Sequence, residues 1–550
     1  MNTPKLTVIM PVYNEAEYIA FAIESVLSQR TTFPFILLIV DDASQDTTLE
    51  IVKKYQSYVK EQKATQGCVE ILVIEQKRNR GKGYAMYTAY TKMQEYQDEG
   101  YFLILDGDDF FTLRNKLQRQ VDLLEENTSY IGCGHEYISA LADGTMFTSA
   151  CYKRLPQYEK LMCEGIHNIE DYPNAFYYSC SSTMMYRNIF KRVPPPQGTS
   201  TEKSSGVPSY FAKRSMEGDT ALLFWFFLMT NQRVTHIDMI GSCYNIHGDG
   251  IWTGLTMEEK TMDTRKMMSE LIRIANDEAT KKTLMQIGND LEYSLVAESE
   301  EHRSSQKEYL TTYDIITQIC ASLPQDTKLY YSSYLDSLIE SMGKFFALKS
   351  GIYRYGAEYK EDNIGLLCSS LQDATTLISR ISSFLDKGKN VHIFYTGLGG
   401  DIPEALLTYC TDKGVEIHSY SVDKERYLEN VEEHVCFLLT TMYRCELGSL
   451  YCYIDVPDIV GSLCIQDGVA GTIIFDNVEQ GIMMLGMSIS VIDSIIVNNM
   501  EYGYALAMTP LFQSKSILVR GDNGKEKEID MKSCKKSGKG ALDVLDIRYS

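Results

Sequence analysis

The stretch Tyr101-Phe-Leu-Ile-Leu-Asp-Gly-Asp-Asp-Phe110 decides how the rest of the chain is interpreted. Its first five residues are apolar and run into a turn, which is typical of a buried strand. The carboxylates of Asp106, Asp108 and Asp109 then crowd together where this strand ends. Such close carboxylates repel one another unless a cation lies between them, and hard divalent cations prefer oxygen ligands. Taken alone, the stretch fits either a solvated acidic turn or a site for Mn²⁺ or Mg²⁺.

Strand and helix patterns alternate around this stretch. Apolar runs at 6–10, 35–40 and 69–74 predict further strands, and each is followed by a segment with helical features. Short connections between such elements predict an α/β fold, with a parallel sheet covered by helices on both faces. The loops after the strands then gather along one edge of the sheet, where open α/β sheets bind ligands.

These loops carry side chains suited to a nucleoside diphosphate and its metal. A carboxylate such as Asp42 can accept a hydrogen bond from a base or a ribose, while Lys82 and a helix start can contact phosphate. The loops that meet at the edge are Pro11–Glu15, Asp41–Ser44, Asn79–Lys82 and Asp106–Asp109.

Three segments resemble, in order and spacing, the signature motifs of family 2 glycosyltransferases of the GT-A fold: Val8-Ile-Met-Pro-Val-Tyr-Asn-Glu15, Val40-Asp-Asp-Ala-Ser44 and Leu105-Asp-Gly-Asp-Asp109. The resemblance covers about residues 5–255. It implies a nucleotide-sugar site made by Pro11, Tyr13, Glu15, Asp42, Lys82, Asp106 and Asp108. It also implies a metal site made by Asp108, Asp109 and His247. Which two of the three aspartates contact the metal stays open.

A further acidic motif, Met216-Glu-Gly-Asp-Thr220, opens a strongly apolar helix. The resemblance assigns the catalytic base to Asp219, with Glu217 as the second candidate. An aspartate at a helix start can equally serve as a cap or as a charge on the helix dipole. Farther on, His247 lies in a Gly-rich loop, where the resemblance implies contact with metal or diphosphate and the alternative is a packing role.

Composition narrows the class of protein. A formal net charge of -21 argues against a nucleic-acid binder and against simple attraction to anionic membrane. The 14 cysteines include no C-x-x-C and predict a reducing, cytoplasmic setting. The longest apolar stretch is too short for a transmembrane segment. Peripheral association with the inner face of the membrane stays open.

The resemblance assigns a GT-A domain to residues 1–255, and the pattern of the remaining chain predicts a helical region at 256–384 and a small Rossmann-like α/β domain at 385–550. A Gly-rich turn at Thr396–Asp401 follows one predicted strand. It is interpreted as a tight turn, with a nucleotide fingerprint as the alternative. The strands predicted for this domain are Val391–Tyr395, Val415–Val422, Val435–Leu439, Leu450–Ile454, Gly471–Phe475 and Ser494–Val497.

The resemblance implies metal-dependent, inverting transfer of a hexose-type sugar from a nucleotide-sugar, with UDP as the expected nucleotide. The acceptor would be a hydroxyl of a glycan, a lipid-linked glycan or a cell-wall polymer, in polysaccharide biosynthesis. Two alternatives remain. One is a bifunctional enzyme whose last domain binds a cofactor for a step such as methyl transfer, and the other is a non-catalytic nucleotide-sugar-binding protein.

Overall fold

The structure is a computed structural model that divides the chain into two compact units, residues 1–312 and 313–550. It describes residues 4–62, 67–141, 146–148, 169, 180–193, 205–216, 218–230, 232–247, 250, 254–304, 329–331, 333–352, 360–397, 401–420, 427, 429–453, 459–464, 470–475, 492–497, 516–520, 526–529 and 547–549. In this part of the chain, none of the helices combines the length and hydrophobicity of a membrane span.

The first unit is built around a mixed sheet. Its strands are β1 (Leu6–Val12), β2 (Phe35–Asp41), β3 (Cys68–Glu75), β4 (Tyr101–Ile104), β5 (Phe110–Phe111), β6 (Tyr130–Leu141), β7 (Met146–Thr148), β8 (Met185–Arg187) and β9 (Arg233–Ile246). Its helices are α1 (Ile19–Leu27), α2 (Thr48–Gln62), α3 (Lys82–Met93), α4 (Lys116–Glu126), α5 (Asp219–Thr230), α6 (Met257–Ile274) and α7 (Glu278–Ser304).

The strand order over the described residues is β3-β2-β1-β4-β8-β6-β9-β5, with β7 paired to β6. Strand β1 runs parallel to both β2 and β4, and β2 runs parallel to β3. The loops after β1, β2, β3 and β4 therefore leave the sheet at the same edge, as the strand–helix alternation predicted.

Helix α5 is anchored in an aromatic core. Its residues Ala221–Phe227 are all buried, because an uninterrupted apolar helix has no polar face to turn to solvent. The ring of Phe226 stacks on Tyr186 at 4.5 Å between centroids, and Trp225 Nε1 donates to the Tyr210 hydroxyl over 2.6 Å. This packing fixes the start of the helix, where Asp219 lies.

The second unit contains a separate, mostly parallel sheet. Its strands are β10 (Leu329–Tyr331), β11 (Lys360–Cys368), β12 (Asn390–Tyr395), β13 (Glu416–Ser419), β14 (Leu447–Tyr453), β15 (Ala470–Phe475), β16 (Ser494–Val497), β17 (Ser516–Arg520), β18 (Glu526–Glu528) and β19 (Ile547–Tyr549). Its helices are α8 (Ser333–Lys349), α9 (Ala374–Leu385), α10 (Glu404–Lys413), α11 (Val431–Arg444) and α12 (Ile459–Cys464).

The main sheet of the second unit has the order β13-β12-β11-β14-β15-β16-β17-β18 over the described residues. Only the last pair of neighbours, β17 and β18, is antiparallel. Strands β10 and β19 pair in a small sheet of their own. The predicted α/β class is confirmed in both units.

One predicted strand was wrong. Val435–Leu439 lies inside α11, whose buried apolar residues Val431, Val435, Leu438, Leu439 and Met442 recur at helical spacing. A short apolar run fits either a strand or a buried part of a helix, and only the spacing of apolar residues over a longer segment distinguishes the two. In addition, the region predicted to be helical, 256–384, contains two strands, β10 and β11, and β11 lies in the middle of the second sheet.

Candidate active site

The loops after β1 and β2 are locked to each other. The Asn14 amide donates to Ser44 Oγ over 3.0 Å, while Asn14 Oδ1 accepts from the Gln45 amide over 2.7 Å. The Glu15 amide donates to Thr48 Oγ1 over 2.7 Å. Asn14 has a φ of 57°, a left-handed conformation that asparagine tolerates better than most residues. These bonds fix the position of the Glu15 backbone.

Asp42 holds the loop that precedes α3. Its Oδ1 accepts from the Arg80 amide over 2.9 Å and its Oδ2 accepts from the Gly81 amide over 2.7 Å. Gly81 has a φ of 85°, which only glycine adopts without strain. Burial raises the pKa of Asp42, although these two amides act in the opposite direction. Asp42 thus positions Lys82, the first residue of α3.

The neighbouring Asp41 was not singled out by the sequence analysis. Its side chain is 1% exposed, and its Oδ2 accepts from the Ser44 amide over 3.2 Å. Among the described residues, its Oδ1 has no hydrogen-bond partner. A buried carboxylate oxygen in this position can accept a hydrogen bond from a donor group of a ligand. The sequence of an Asp-Asp pair does not show which of the two carboxylates will accept hydrogen bonds from the backbone.

Lys82 forms an ion pair with the acidic turn after β4. Its Nζ lies 2.7 Å from Asp106 Oδ1 and 2.8 Å from Asp106 Oδ2. Burial acts to lower the pKa of Lys82, but the charges of Asp106, Asp108 and Asp219 outweigh it and raise the pKa. Lys82 is therefore a fixed positive charge surrounded by carboxylates.

Asp108 pairs with His247. The distance from His247 Nε2 to Asp108 Oδ2 is 2.9 Å, and the imidazole stacks on the ring of Tyr18 at 4.7 Å. Two of the three residues predicted to hold a metal are thus brought together. The contact with Tyr18 was missed, because nothing in the sequence links the start of α1 to residue 247.

Asp109 lies deeper than its neighbours. It is 1% exposed, its Oδ1 accepts from the Asn245 amide over 3.0 Å, and its Oδ2 lies 4.0 Å from Cys180 Sγ. Burial and the charges of Asp108 and Asp106 raise its pKa well above the usual range. These contacts favour Asp108 over Asp109 as the aspartate that faces a ligand.

Glu15 shows that negative charge is in excess here. Burial, followed by the charges of Asp108 and Asp106, raises the pKa of its carboxyl to about 8. A carboxyl that holds its proton at neutral pH marks a place where a cation would be stabilising. The carboxylates together with His247 form a donor set that a hard divalent cation accepts.

Asp219 begins α5 beside this cluster. Burial raises the pKa of its carboxyl to about 6, while the charge of Lys82 acts to lower it. Its Oδ1 accepts from the Thr220 amide over 2.9 Å. The second candidate for the base, Glu217, lies outside the described residues.

The remaining predicted residues lie on β1 and in the loop after it. Pro11 is buried within β1, and Tyr13 is 42% exposed in the loop. An aromatic face that is open to solvent can stack on a base. No predicted site residue that the structure describes lies outside this edge of the first sheet or the start of α5.

Residues 7–193 match the family model described as "Glycosyl transferase family 2". The resemblance to family 2 glycosyltransferases is confirmed. EpsE of Bacillus subtilis, to which a glycosyltransferase activity is provisionally assigned, is 32% identical over 137 residues, which are 24% of this chain and 44% of EpsE. An uncharacterised glycosyltransferase of Methanocaldococcus jannaschii, MJ1057, is 30% identical over 128 residues, 23% of this chain and 39% of that one. The chain thus spans less than half the length of these glycosyltransferase relatives.

Two solved structures also overlap this chain. Residues 1–349 of Staphylococcus aureus TarS, in complex with UDP, are 17% identical, with a TM-score of 0.33 over 64% of this chain and 83% of that one. The mannosyltransferase PcManGT of Pyrobaculum calidifontis, in complex with GDP-Man and Mn²⁺, is 14% identical, with a TM-score of 0.33 over 56% of this chain and 77% of that one.

Proposed function

We propose that this chain is a metal-dependent, inverting glycosyltransferase that takes a hexose-type sugar from a nucleotide-sugar, with UDP as the nucleotide. The observation that carries the proposal is the arrangement of Glu15, Asp106, Asp108 and Asp219 around Lys82, at the edge where parallel strands bind ligands. The family match at residues 7–193 supports the same reaction. The proposal assigns sugar transfer to residues 1–255 and gives no part in it to the second α/β unit, whose main sheet already includes β11 at Lys360–Cys368.

In the proposed donor complex, the exposed face of Tyr13 stacks on the base, and the Asp41–Asp42 pair accepts from the nucleoside. Lys82 meets the diphosphate through its charge. Asp108 and His247 would hold Mn²⁺ or Mg²⁺, because their ligand atoms already lie 2.9 Å apart. When bound, the cation would supply Lewis-acid stabilisation of the negative charge on the diphosphate.

Asp219 is the proposed general base. With a pKa of about 6, it is ionised at neutral pH and basic enough to accept a proton. The acceptor hydroxyl loses its proton to Asp219 as its oxygen bonds to the anomeric carbon, and the bond from that carbon to the diphosphate breaks. A single displacement of this kind inverts the anomeric configuration.

The acceptor is proposed to be a glycan, a lipid-linked glycan or a cell-wall polymer, as in polysaccharide biosynthesis. We place the reaction in the cytoplasm, where association of the protein with the inner face of the membrane stays open. The free cysteines of the described residues fit a reducing compartment.

A thermal-shift titration with UDP, GDP, CDP and dTDP, each with and without Mn²⁺, tests the donor site. A nucleotide at ~100 times its Kd stabilises a protein by ~2.7 kcal/mol. We expect such a shift with UDP and Mn²⁺ together, its loss in Asp108→Asn, and its retention in Asp122→Asn, where an exposed aspartate of α4 is changed instead. A folded protein that responds to none of the four nucleotides would refute the donor site.

The second candidate function is a bifunctional enzyme, favoured by the topology of the second unit. Counted along the chain from β11 to β16, the strand order is 3-2-1-4-5-6, that of dinucleotide-binding sheets. In those sheets the phosphate-binding glycines follow the first strand. Here the Gly-rich turn follows β12, the second, and β11 is followed by Ser369-Ser-Leu-Gln-Asp373. Calorimetric titration of the full chain with S-adenosylmethionine and with NAD tests this candidate. If the chain binds neither ligand, the candidate is removed.

A further inference from the structure

Two histidines, a glutamate and a cysteine converge at one edge of the second sheet, in a region that the proposed sugar transfer does not use. His392 of β12 and Glu416 of the edge strand β13 are register partners, and His418 follows Glu416 by two residues. Because side chains alternate along a strand, these three lie on the same face of the sheet. Cys445 joins them from the residue that ends α11.

The donor atoms lie close together. His418 Nε2 is 3.4 Å from His392 Nδ1, 3.8 Å from Cys445 Sγ and 3.5 Å from Glu416 Oε2. His392 Nδ1 is 3.9 Å from the same Glu416 oxygen. One nitrogen of each imidazole and the thiol sulfur all lie within 4.8 Å of one another.

These separations match the edges of a tetrahedron around zinc. Bonds of about 2.0–2.1 Å to nitrogen and about 2.3 Å to sulfur place two nitrogens roughly 3.3–3.4 Å apart and nitrogen and sulfur roughly 3.6 Å apart. The three pairs that involve His418 Nε2 require adjustments of only a few tenths of an ångström, and His392 Nδ1 and Glu416 Oε2 must approach by about half an ångström. As hydrogen bonds, by contrast, the contacts between the two imidazoles and between His418 and Glu416 are long.

The surroundings hold the donors in place. Asn363 Nδ2 donates to the Cys445 carbonyl over 2.7 Å, and Asn390 Nδ2 donates to Asn363 Oδ1 over 3.0 Å. The His418 ring stacks on Phe394 at 5.0 Å. Both imidazoles are largely shielded from solvent, with side chains 20% and 17% exposed, whereas Glu416 is 69% exposed and free to turn toward a cation. Burial lowers the pKa of both imidazoles.

We propose that His392, His418, Cys445 and Glu416 bind one Zn²⁺ in a tetrahedral, structural site. Binding breaks the S–H bond of Cys445, forms a zinc–thiolate bond and releases the proton to solvent. The site ties the edge strand β13 to the end of α11. His392 and Glu416 lie in the amino-terminal halves of their strands, whereas ligand sites of parallel sheets lie at the carboxyl ends. We therefore assign the ion to stability and not to catalysis.

Cobalt substitution in the full chain tests this site. Protein stripped with a chelator is titrated with Co²⁺, and the thiolate-to-cobalt charge-transfer band and the visible bands of tetrahedral cobalt are followed. Zn²⁺ is then added to displace the cobalt. We expect one equivalent of tetrahedral cobalt, its displacement by Zn²⁺ and a higher Tm for the zinc-loaded protein.

Matched variants locate the ion. Changes outside the ligand shell cost metal sites about 10–100-fold in affinity, so removal of a ligand in Cys445→Ser or His418→Gln should weaken Co²⁺ binding by ~100-fold or more. Cys436→Ser changes another partly buried thiol on α11 and should leave the band unchanged. Cys180 lies 4.0 Å from Asp109 and would supply a thiolate to cobalt bound in the acidic cluster of the first unit. The variant Asp108→Asn, which removes a carboxylate from that cluster, is therefore included and should keep the band.

The result that overturns the proposal is equally specific. Folded wild-type protein without a thiolate band would do so, and so would a band that persists in Cys445→Ser. Circular dichroism of each variant, recorded without metal, separates loss of a ligand from loss of fold. None of these outcomes depends on whether the first unit transfers a sugar.

Discussion

Replacement of Asp219 by Asn removes the proposed base and keeps the size of the side chain. General base catalysis contributes ~10²–10⁴-fold to a rate, so kcat should fall by that factor, which is about 2.7–5.4 kcal/mol at 1.36 kcal/mol per decade. The amide oxygen of Asn can still accept from the Thr220 amide, as Asp219 does over 2.9 Å. The Tm should therefore stay close to that of the wild type.

The pH profile gives the same prediction a second readout. Burial holds the pKa of Asp219 at about 6, with Lys82 acting against it. Below that pH the base is increasingly protonated, so at pH 5 roughly a tenth of it is ionised and kcat should be roughly a tenth of its plateau. The residual activity of Asp219→Asn should lack this acidic limb.

The assay is release of nucleoside diphosphate from the nucleotide-sugar that stabilises the protein most, with a glycan or lipid-linked acceptor. Asp122→Asn serves as the control for an aspartate that is exposed on α4. Full activity in Asp219→Asn would refute the assignment of the base. If kcat fell strongly in Glu217→Gln instead, the role of general base would belong to Glu217.

Three further predictions concern stability, each read from Tm by differential scanning calorimetry. The pKa of Glu15 is about 8 in the folded protein. Because the carboxyl ionises near pH 4.5 in the unfolded chain but stays protonated in the folded protein, the free energy of unfolding falls as pH rises from about 4.5 through 8. Glu15→Gln should therefore raise Tm increasingly over that range, and Mn²⁺ should abolish the gain; an equal gain at pH 4 would contradict this. Burial lowers the pKa of Lys116 to about 7, so Lys116→Met should raise stability by a few kcal/mol below pH 7 and by less toward pH 10. A Tm unchanged at pH 6 would oppose that reasoning. In Gly107→Ala the new Cβ would lie 2.8 Å from Val12 Cγ1, which should cost about 1–3 kcal/mol, whereas Gly218→Ala, with nothing within 4 Å, should be neutral; equal Tm values for the two would contradict the crowding at Gly107.

Strands β1 to β4 of the first unit could be predicted because they are short, largely apolar runs that end in turns, whereas the longer strands β6 and β9, which mix polar and apolar residues, were not predicted. For the run 101–105, burial on both faces of the sheet explains the uninterrupted apolar pattern. In the second unit the same rule failed at 435–439, because helix α11 has an apolar stretch of strand length. Strand β11 was missed because it opens with Lys360-Glu-Asp-Asn363, whose polar residues hide the start of a central strand.

The composition of the candidate site could be predicted from its motifs, while its contacts could not. The order of the motifs places Asp106, Asp108 and Lys82 at one edge of the sheet, and the structure brings them together there. Which partner each of the adjacent aspartates contacts depends on the direction of its side chain, and the sequence does not specify that direction. The sequence likewise gives no sign that His392, His418 and Cys445 meet, because their elements are far apart along the chain.

The measurement that tests sugar transfer most directly is release of nucleoside diphosphate from a panel of UDP-, GDP-, CDP- and dTDP-sugars, with Mn²⁺ or with a chelator. We predict release from one class of donor, dependence on the metal and loss in Asp108→Asn. Binding of a nucleotide without release from any donor, in the presence of glycan and lipid-linked acceptors, would contradict the account and leave a protein that only binds nucleotide-sugars.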